Sequence, residues 1–181
     1  SRRAARARVS FNVSGLTDTS TLTLNAGLVC NGIGRNSNFI FSIPESITVP
    51  VNNGFAEFNN IEIYEGTFVA QSFTVQSSLS NQKFILDNSF IDTSTIKVRV
   101  RSSESSTSSV TYKQIDNIIG ITSTSNSYLL QEIEDERYEL IFGDNVIAKK
   151  LENDNFIVTS YITSAGREGN DASEFSFVGN I

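Results

Sequence analysis

The feature that most constrains this chain is an apolar/polar alternation with a period of two. It recurs from one end to the other and is cut into short runs by turn residues. Such a pattern turns one side of an extended backbone toward a core and the other toward solvent, and it has no helical equivalent. Val9, Phe11 and Val13 alternate with polar residues. Asn38-Phe39-Ile40-Phe41-Ser42-Ile43 follows the loop residues Asn31-Gly32-Ile33-Gly34-Arg35-Asn36. Ile47-Thr48-Val49-Pro50-Val51 runs into Asn52-Asn53-Gly54, a strong turn signal. Phe55-Ala56-Glu57-Phe58 answers it, and Ile61-Glu62-Ile63-Tyr64 alternates cleanly before Glu65-Gly66-Thr67 turns into a strand over 68–75. Later runs are Phe84-Ile85-Leu86, Ile96-Lys97-Val98-Arg99-Val100, residues 110–115 and Phe156-Ile157-Val158-Thr159-Ser160-Tyr161-Ile162.

Composition points the same way. Ser, Thr and Asn supply 26, 15 and 18 of the 181 residues, types that suit turns and the wet face of a sheet and that compete with helix backbone bonds. The apolar set is rich in branched and aromatic side chains, with 19 Ile and 13 Phe and neither Met nor Trp. The reading is an all-β chain with mainly antiparallel sheets and little or no helix. Only Tyr128-Leu129-Leu130-Gln131-Glu132-Ile133-Glu134 has helix-like spacing. It is short, lacks a capping box and runs into Asp135-Glu136-Arg137 before the strongly β segment Tyr138-Glu139-Leu140-Ile141-Phe142, so a hairpin with a charged tip is expected. Tyr138, Leu140 and Phe142 should share its core face, with Phe142 buried.

The polar break at 76–82 is the expected domain boundary, giving two small β-sandwich-like domains in tandem over 9–78 and 79–181. The serine-rich stretch 102–109 is too polar to pack and is expected at a hairpin tip or loop. Residues 1–8 hold Arg2, Arg3, Arg6 and Arg8 and read as a basic linker from a preceding segment. The absence of methionine suggests an internal piece of a longer protein. Beyond those arginines the chain has 10 basic against 20 acidic side chains, which argues against nucleic acid as a partner. No apolar run approaches the length of about 18 residues that a membrane-spanning helix needs, and no membrane insertion is expected.

The chain has no histidine, so serine and cysteine nucleophiles lack their usual base and zinc lacks its usual ligands. The single Cys30, in Gly27-Leu28-Val29-Cys30, reads as a small buried thiol. Gly32 and Gly34, and the later Gly166, Gly169 and Asn170, lack the lysine and helix of a phosphate loop. Glu132, Glu134, Asp135 and Glu136 fall on a solvated tip. Asp144, Glu152, Asp154 and Asn155 are oxygen ligands in adjacent loops without the spacing of a calcium loop, and turn formation accounts for them. No catalytic, cofactor or metal site is expected.

One order of motifs is more specific. Tyr128-Leu129-Leu130-Gln131-Glu132, then Tyr138-Glu139-Leu140-Ile141-Phe142-Gly143-Asp144, then Lys149-Lys150-Leu151-Glu152-Asn153, then Asn155, Val158 and Tyr161, resembles baseplate wedge subunit six of T-even-like contractile-tailed bacteriophages, related to the broader baseplate J-like family. Arg2-Arg3-Ala4-Ala5-Arg6-Ala7, Ile61-Glu62-Ile63-Tyr64-Glu65-Gly66 and Asp92-Thr93-Ser94-Thr95 extend the resemblance toward the start. The family often has glycine where this chain has Asn145, Ala148 and Asp154. Asn and Asp tolerate a left-handed backbone, whereas Ala148 should be either ordinary or strained. The resemblance implies a structural, non-enzymatic piece of the virion tail baseplate, assembled in the host cytoplasm. Its partners would be other wedge subunits and copies of the full protein, with the isolated piece a monomer or weak dimer. The rival readings are an Ig-like or adhesin-type extracellular binding module and, more distantly, a carbohydrate-active enzyme.

Overall fold

The computed structural model describes residues 2–34, 37–164 and 172–181. The chain is all-β, and the only helical element among these residues is one 3-10 turn, Glu134–Glu136. The strands are β1 (Arg6–Val13), β2 (Thr21–Leu24), β3 (Gly27–Ile33), β4 (Asn38–Ile43), β5 (Ile47–Pro50), β6 (Ala56–Glu65) and β7 (Thr67–Thr74). They continue with β8 (Phe84–Leu86), β9 (Ile91–Arg101), β10 (Val110–Gln114), β11 (Ser127–Glu132), β12 (Tyr138–Phe142), β13 (Phe156–Thr163) and β14 (Glu174–Phe177). No helix among the described residues is long and apolar enough to cross a membrane.

Two compact units form, but not as consecutive halves. The first gathers Ser1–Val69, Ile91–Thr95 and Tyr161–Ile181, and the second Ala70–Phe90 and Ile96–Ser160. The tandem boundary expected at 78/79 is therefore not where the chain divides. Strands β7, β9 and β13 contribute to both units, and β14 returns to pair with β3, with Phe175 opposite Gly32. Local periodicity reports which residues face a core but not which distant strand they pair with.

In the first unit a five-stranded antiparallel sheet has the order β1-β6-β4-β3-β14, and a ribbon of β2 and β5 shares its core. Leu24, Val29, Cys30, Phe41, Ile43, Phe58 and Ile63 are buried together, with Val9, Phe11 and Val13 packed against them. Phe11 stacks on Phe58 at 4.8 Å between ring centroids. Gly32 is a packing position, since a Cβ there would lie 2.6 Å from the Phe41 ring. The expected linker 1–8 is instead part of this unit. Ala4 and Ala5 are 3% and 1% exposed, and Arg6 opens β1 in register with Tyr64 of β6. The reason is visible in the pattern, because Ala5 and Ala7 carry the alternation of Val9, Phe11 and Val13 two steps further back.

The second unit holds most of a seven-stranded sheet of order β7-β13-β9-β10-β11-β12-β8. Within it β10 pairs antiparallel with β9 and parallel with β11, and β12 pairs antiparallel with both β11 and β8. The serine-rich stretch joins the β9–β10 hairpin, where Val110 faces Val100. Strands β11 and β12 form the expected hairpin, with Leu130 opposite Leu140 and the exposed turn Glu134–Glu136 at its tip. The register is as expected, with Tyr138 and Leu140 buried, but Phe142 is half-buried instead of buried. It ends its strand, where its ring meets Phe84, Tyr112 and Tyr128 and retains an open side. Leu140, at 1% exposure, is the central residue. Leu140→Ala should cost about 2–5 kcal/mol in a denaturant titration, more than Ile141→Ala. The opposite order would mean that the strand is one residue out of register.

Candidate functional site

A polar cluster in the first unit is built from three stretches far apart in sequence. On β1, Arg6 and Arg8 occupy the side opposite the core-facing Ala7 and Val9, and their cross-strand partners on β6 are Tyr64 and Glu62. Opposite charges facing each other across an antiparallel pair attract. Arg6 Nη1 donates to Glu62 Oε1 at 3.2 Å, Arg8 Nη2 donates to Glu62 Oε2 at 3.0 Å, and the Arg6 guanidinium lies 5.0 Å above the Tyr64 ring. The Tyr64 hydroxyl donates to the same Glu62 Oε1 at 2.7 Å.

The third stretch is the start of β9. Asp92 is 2% exposed, and its carboxylate accepts from the Ala4 N–H at 2.8 Å, the Ser94 N–H at 3.0 Å and the Ser94 hydroxyl at 2.6 Å. Ser94 Oγ accepts in turn from Arg6 Nη2 at 2.7 Å, and that nitrogen lies 3.9 Å from Asp92 Oδ2. The backbone completes the junction. Arg2 N–H donates to Ile91 O, Glu65 N–H donates to Ala5 O, and the Ile162 N–H donates to Thr95 Oγ1. A buried carboxylate is tolerated only when its lone pairs are taken and its charge is balanced, and both conditions hold for Asp92.

Two titrations follow from this geometry. The Tyr64 hydroxyl first, then the charges of Arg6 and Arg8, hold Glu62 below the usual carboxylate range despite some desolvation. Burial first, then its hydrogen bond to Glu62, pushes Tyr64 up to about 12. Near neutral pH Glu62 is therefore ionised and Tyr64 protonated, and the pair is set to hold and not to exchange a proton. In the second unit burial, with the charge of Asp116, also pushes Tyr128 up to about 12. Both phenols bind their proton more tightly folded than unfolded, where a tyrosine titrates near pH 10. Their contribution to stability is full below about pH 10 and is lost as pH rises toward 12. Phenolate absorbance should therefore rise together with unfolding in that window. A folded chain in which both tyrosines titrate near 10 would contradict the burial.

The residues weighed for chemistry from the sequence do not assemble. Glu132 ends β11, Glu134, Asp135 and Glu136 form the β11–β12 turn, and all four are exposed. Asp144 Oδ1 accepts from the Val146 and Ile147 N–H groups, both at 2.9 Å, which holds its carboxyl below the usual range. Asn155 Oδ1 accepts from Glu152 N–H at 3.0 Å, and Glu152 and Asp154 are exposed. Among the described residues no three His, Cys, Asp or Glu side chains gather as a metal-ligand set. Cys30 is a buried free thiol, pushed up by desolvation. Gly166, Gly169 and Asn170 lie outside the described residues.

No protein-family model matches the chain, and none of the curated proteins compared with it is significantly similar. The site therefore rests on its geometry. The stretches that meet in the cluster are Arg2-Arg3-Ala4-Ala5-Arg6-Ala7, Ile61-Glu62-Ile63-Tyr64-Glu65-Gly66 and Asp92-Thr93-Ser94-Thr95. Sequence reasoning missed this junction by ending the strand pattern at Val9. The available signal was the alternation of arginines with Ala5 and Ala7, and of Glu62 and Tyr64 with Ile61 and Ile63.

Proposed function

We propose that this chain is a structural piece of a contractile phage tail baseplate, part of a wedge subunit that scaffolds the baseplate ring and takes part in its rearrangement on contraction. It would act in the virion without catalysis, against other wedge subunits and copies of the longer protein. The observation that carries this reading is a set of backbone conformations. The three positions at which the resembled family often has glycine, Asn145, Ala148 and Asp154, have φ of 69°, 64° and 67°. That is the left-handed region, which costs a residue with a Cβ about 1–2 kcal/mol and costs glycine nothing. Ala148 is buried there, and its N–H donates to Thr122 O at 3.0 Å. A family that places glycine at those positions is suited to the same loop. The cluster around Asp92 adds to this reading, since it joins the three earlier segments of the resemblance.

The test is assembly. The longer protein, produced together with the products of neighbouring tail genes, should co-purify with wedge subunits. This chain by itself should remain a monomer or weak dimer at micromolar concentration, because a stable interface needs about 1,200–2,000 Å². A longer protein that stays monomeric in light scattering and retains none of those subunits would defeat the proposal and favour the adhesin-type module.

A further inference from the structure

The seven-stranded sheet ends in two edge strands, β7 and β8, and each is capped by a glutamine side chain that reaches it from the other edge's stretch of chain. Gln71 on β7 donates from Nε2 to Ile85 O at 3.0 Å and accepts at Oε1 from the Asp87 N–H at 3.2 Å. Gln82, just before β8, donates from Nε2 to Thr74 O and accepts at Oε1 from the Gln76 N–H, both at 2.8 Å. In both cases one primary amide takes the carbonyl before a residue and the N–H after it, the pair of groups that a neighbouring strand would occupy. The residue between them shows the alternation, because the N–H and carbonyl of Val75 pair the other way, with Asn155 O and Asp154 N–H. Beneath the rungs Phe73 and Phe84 meet edge to face, 5.5 Å between centroids. Beside them an open cleft of 560 Å³ is lined by Gln82, Phe84, Leu140 and Phe142 among others.

We propose that Gln71 and Gln82 form a two-rung latch that closes the sheet across β7 and β8, and that this seam is where the second unit opens first. Side-chain rungs are weaker than a backbone ladder because each must immobilise a glutamine with three free torsions, whereas a paired strand is already ordered. Three of the four rung hydrogen bonds are also exposed, and local opening starts where buried contacts are few and hydrogen bonds face solvent. Closed, the latch covers two strand edges that would otherwise template pairing with another chain. This inference stands on the hydrogen bonds alone and is independent of the function proposed above.

Native-state amide exchange of the whole chain tests it, because the adjacent Val75 and Gln76 amides just after β7 serve as reference and latch. The Gln76 and Asp87 N–H groups should exchange about tenfold faster than the Val75 N–H, which is held by a backbone carbonyl. Gln71→Asn keeps the amide but shortens its reach. It should speed Asp87 exchange about three- to tenfold, the equivalent of one hydrogen bond, and leave Val75 unchanged. Gln82→Asn should do the same to Gln76, and exposed Gln131→Asn should do neither. Equal protection of Gln76, Asp87 and Val75 in the unmodified chain would overturn the latch, and that comparison decides the matter even if a variant fails to fold.

Discussion

Replacing Gly66 with alanine should destabilise the chain by about 3–5 kcal/mol. Gly66 joins β6 to β7 at φ 136°, a conformation that L side chains rarely adopt. A Cβ built there would sit well inside contact distance of the Thr163 carbonyl oxygen and 2.7 Å from Ile162 Cγ2. The backbone cannot move aside cheaply, because the Gly66 N–H donates to Ile40 O at 2.9 Å and its carbonyl accepts from the buried Ser42 hydroxyl at 3.0 Å. Strain in φ and overpacking therefore add. Gly15→Ala is the control. It shares a positive φ of 72° but meets nothing within 4 Å, so it should lose only about 1–2 kcal/mol. Denaturant midpoints of the two variants separate the terms. A Gly66→Ala loss no larger than that of Gly15→Ala would mean that the close approach to Thr163 does not constrain the native state.

Asp92→Ala should cost about 3–5 kcal/mol, as removal of one member of a buried charged network does. The substitution strips partners from the Ala4 and Ser94 N–H groups and leaves the Arg6 guanidinium balanced by Glu62 alone. Each buried donor left without an acceptor costs about 1–3 kcal/mol. The exposed end of the network is worth less. Arg8, with 62% of its side chain accessible, should lose under about 1 kcal/mol on Arg8→Ala, because water screens its ion pair. The two changes also differ in what they free. Trypsin should cleave slowly at Arg6 and Arg8 in the unmodified chain, where β1 is paired to β6, and faster in Asp92→Ala, where the Ala4 N–H loses its acceptor and Arg6 one of its carboxylates. Rapid loss of the first eight residues from the unmodified chain would return them to the status of a linker.

The all-β class, the β11–β12 hairpin, the serine-rich tip and the exposure of Glu134, Asp135 and Glu136 were decided by short-range features of the sequence. Alternation, turn residues and charge act over a few residues, and that is the range over which a single sequence can be read. Asn145, Ala148 and Asp154 were singled out by the resemblance, in which glycine is frequent there, and not by those local features. The tertiary structure alone decided the rest. Pairing β14 with β3, and sharing β7, β9 and β13 between two units, depends on partners distant in sequence, which period-two alternation leaves unspecified. Arg6 and Arg8 look like solvated charge until β6 and β9 bring Glu62 and Asp92 to them, and Gln71 and Gln82 look like ordinary polar residues until two sheet edges meet. A charge or an amide acquires its role from the group placed opposite it, and that placement belongs to the fold as a whole.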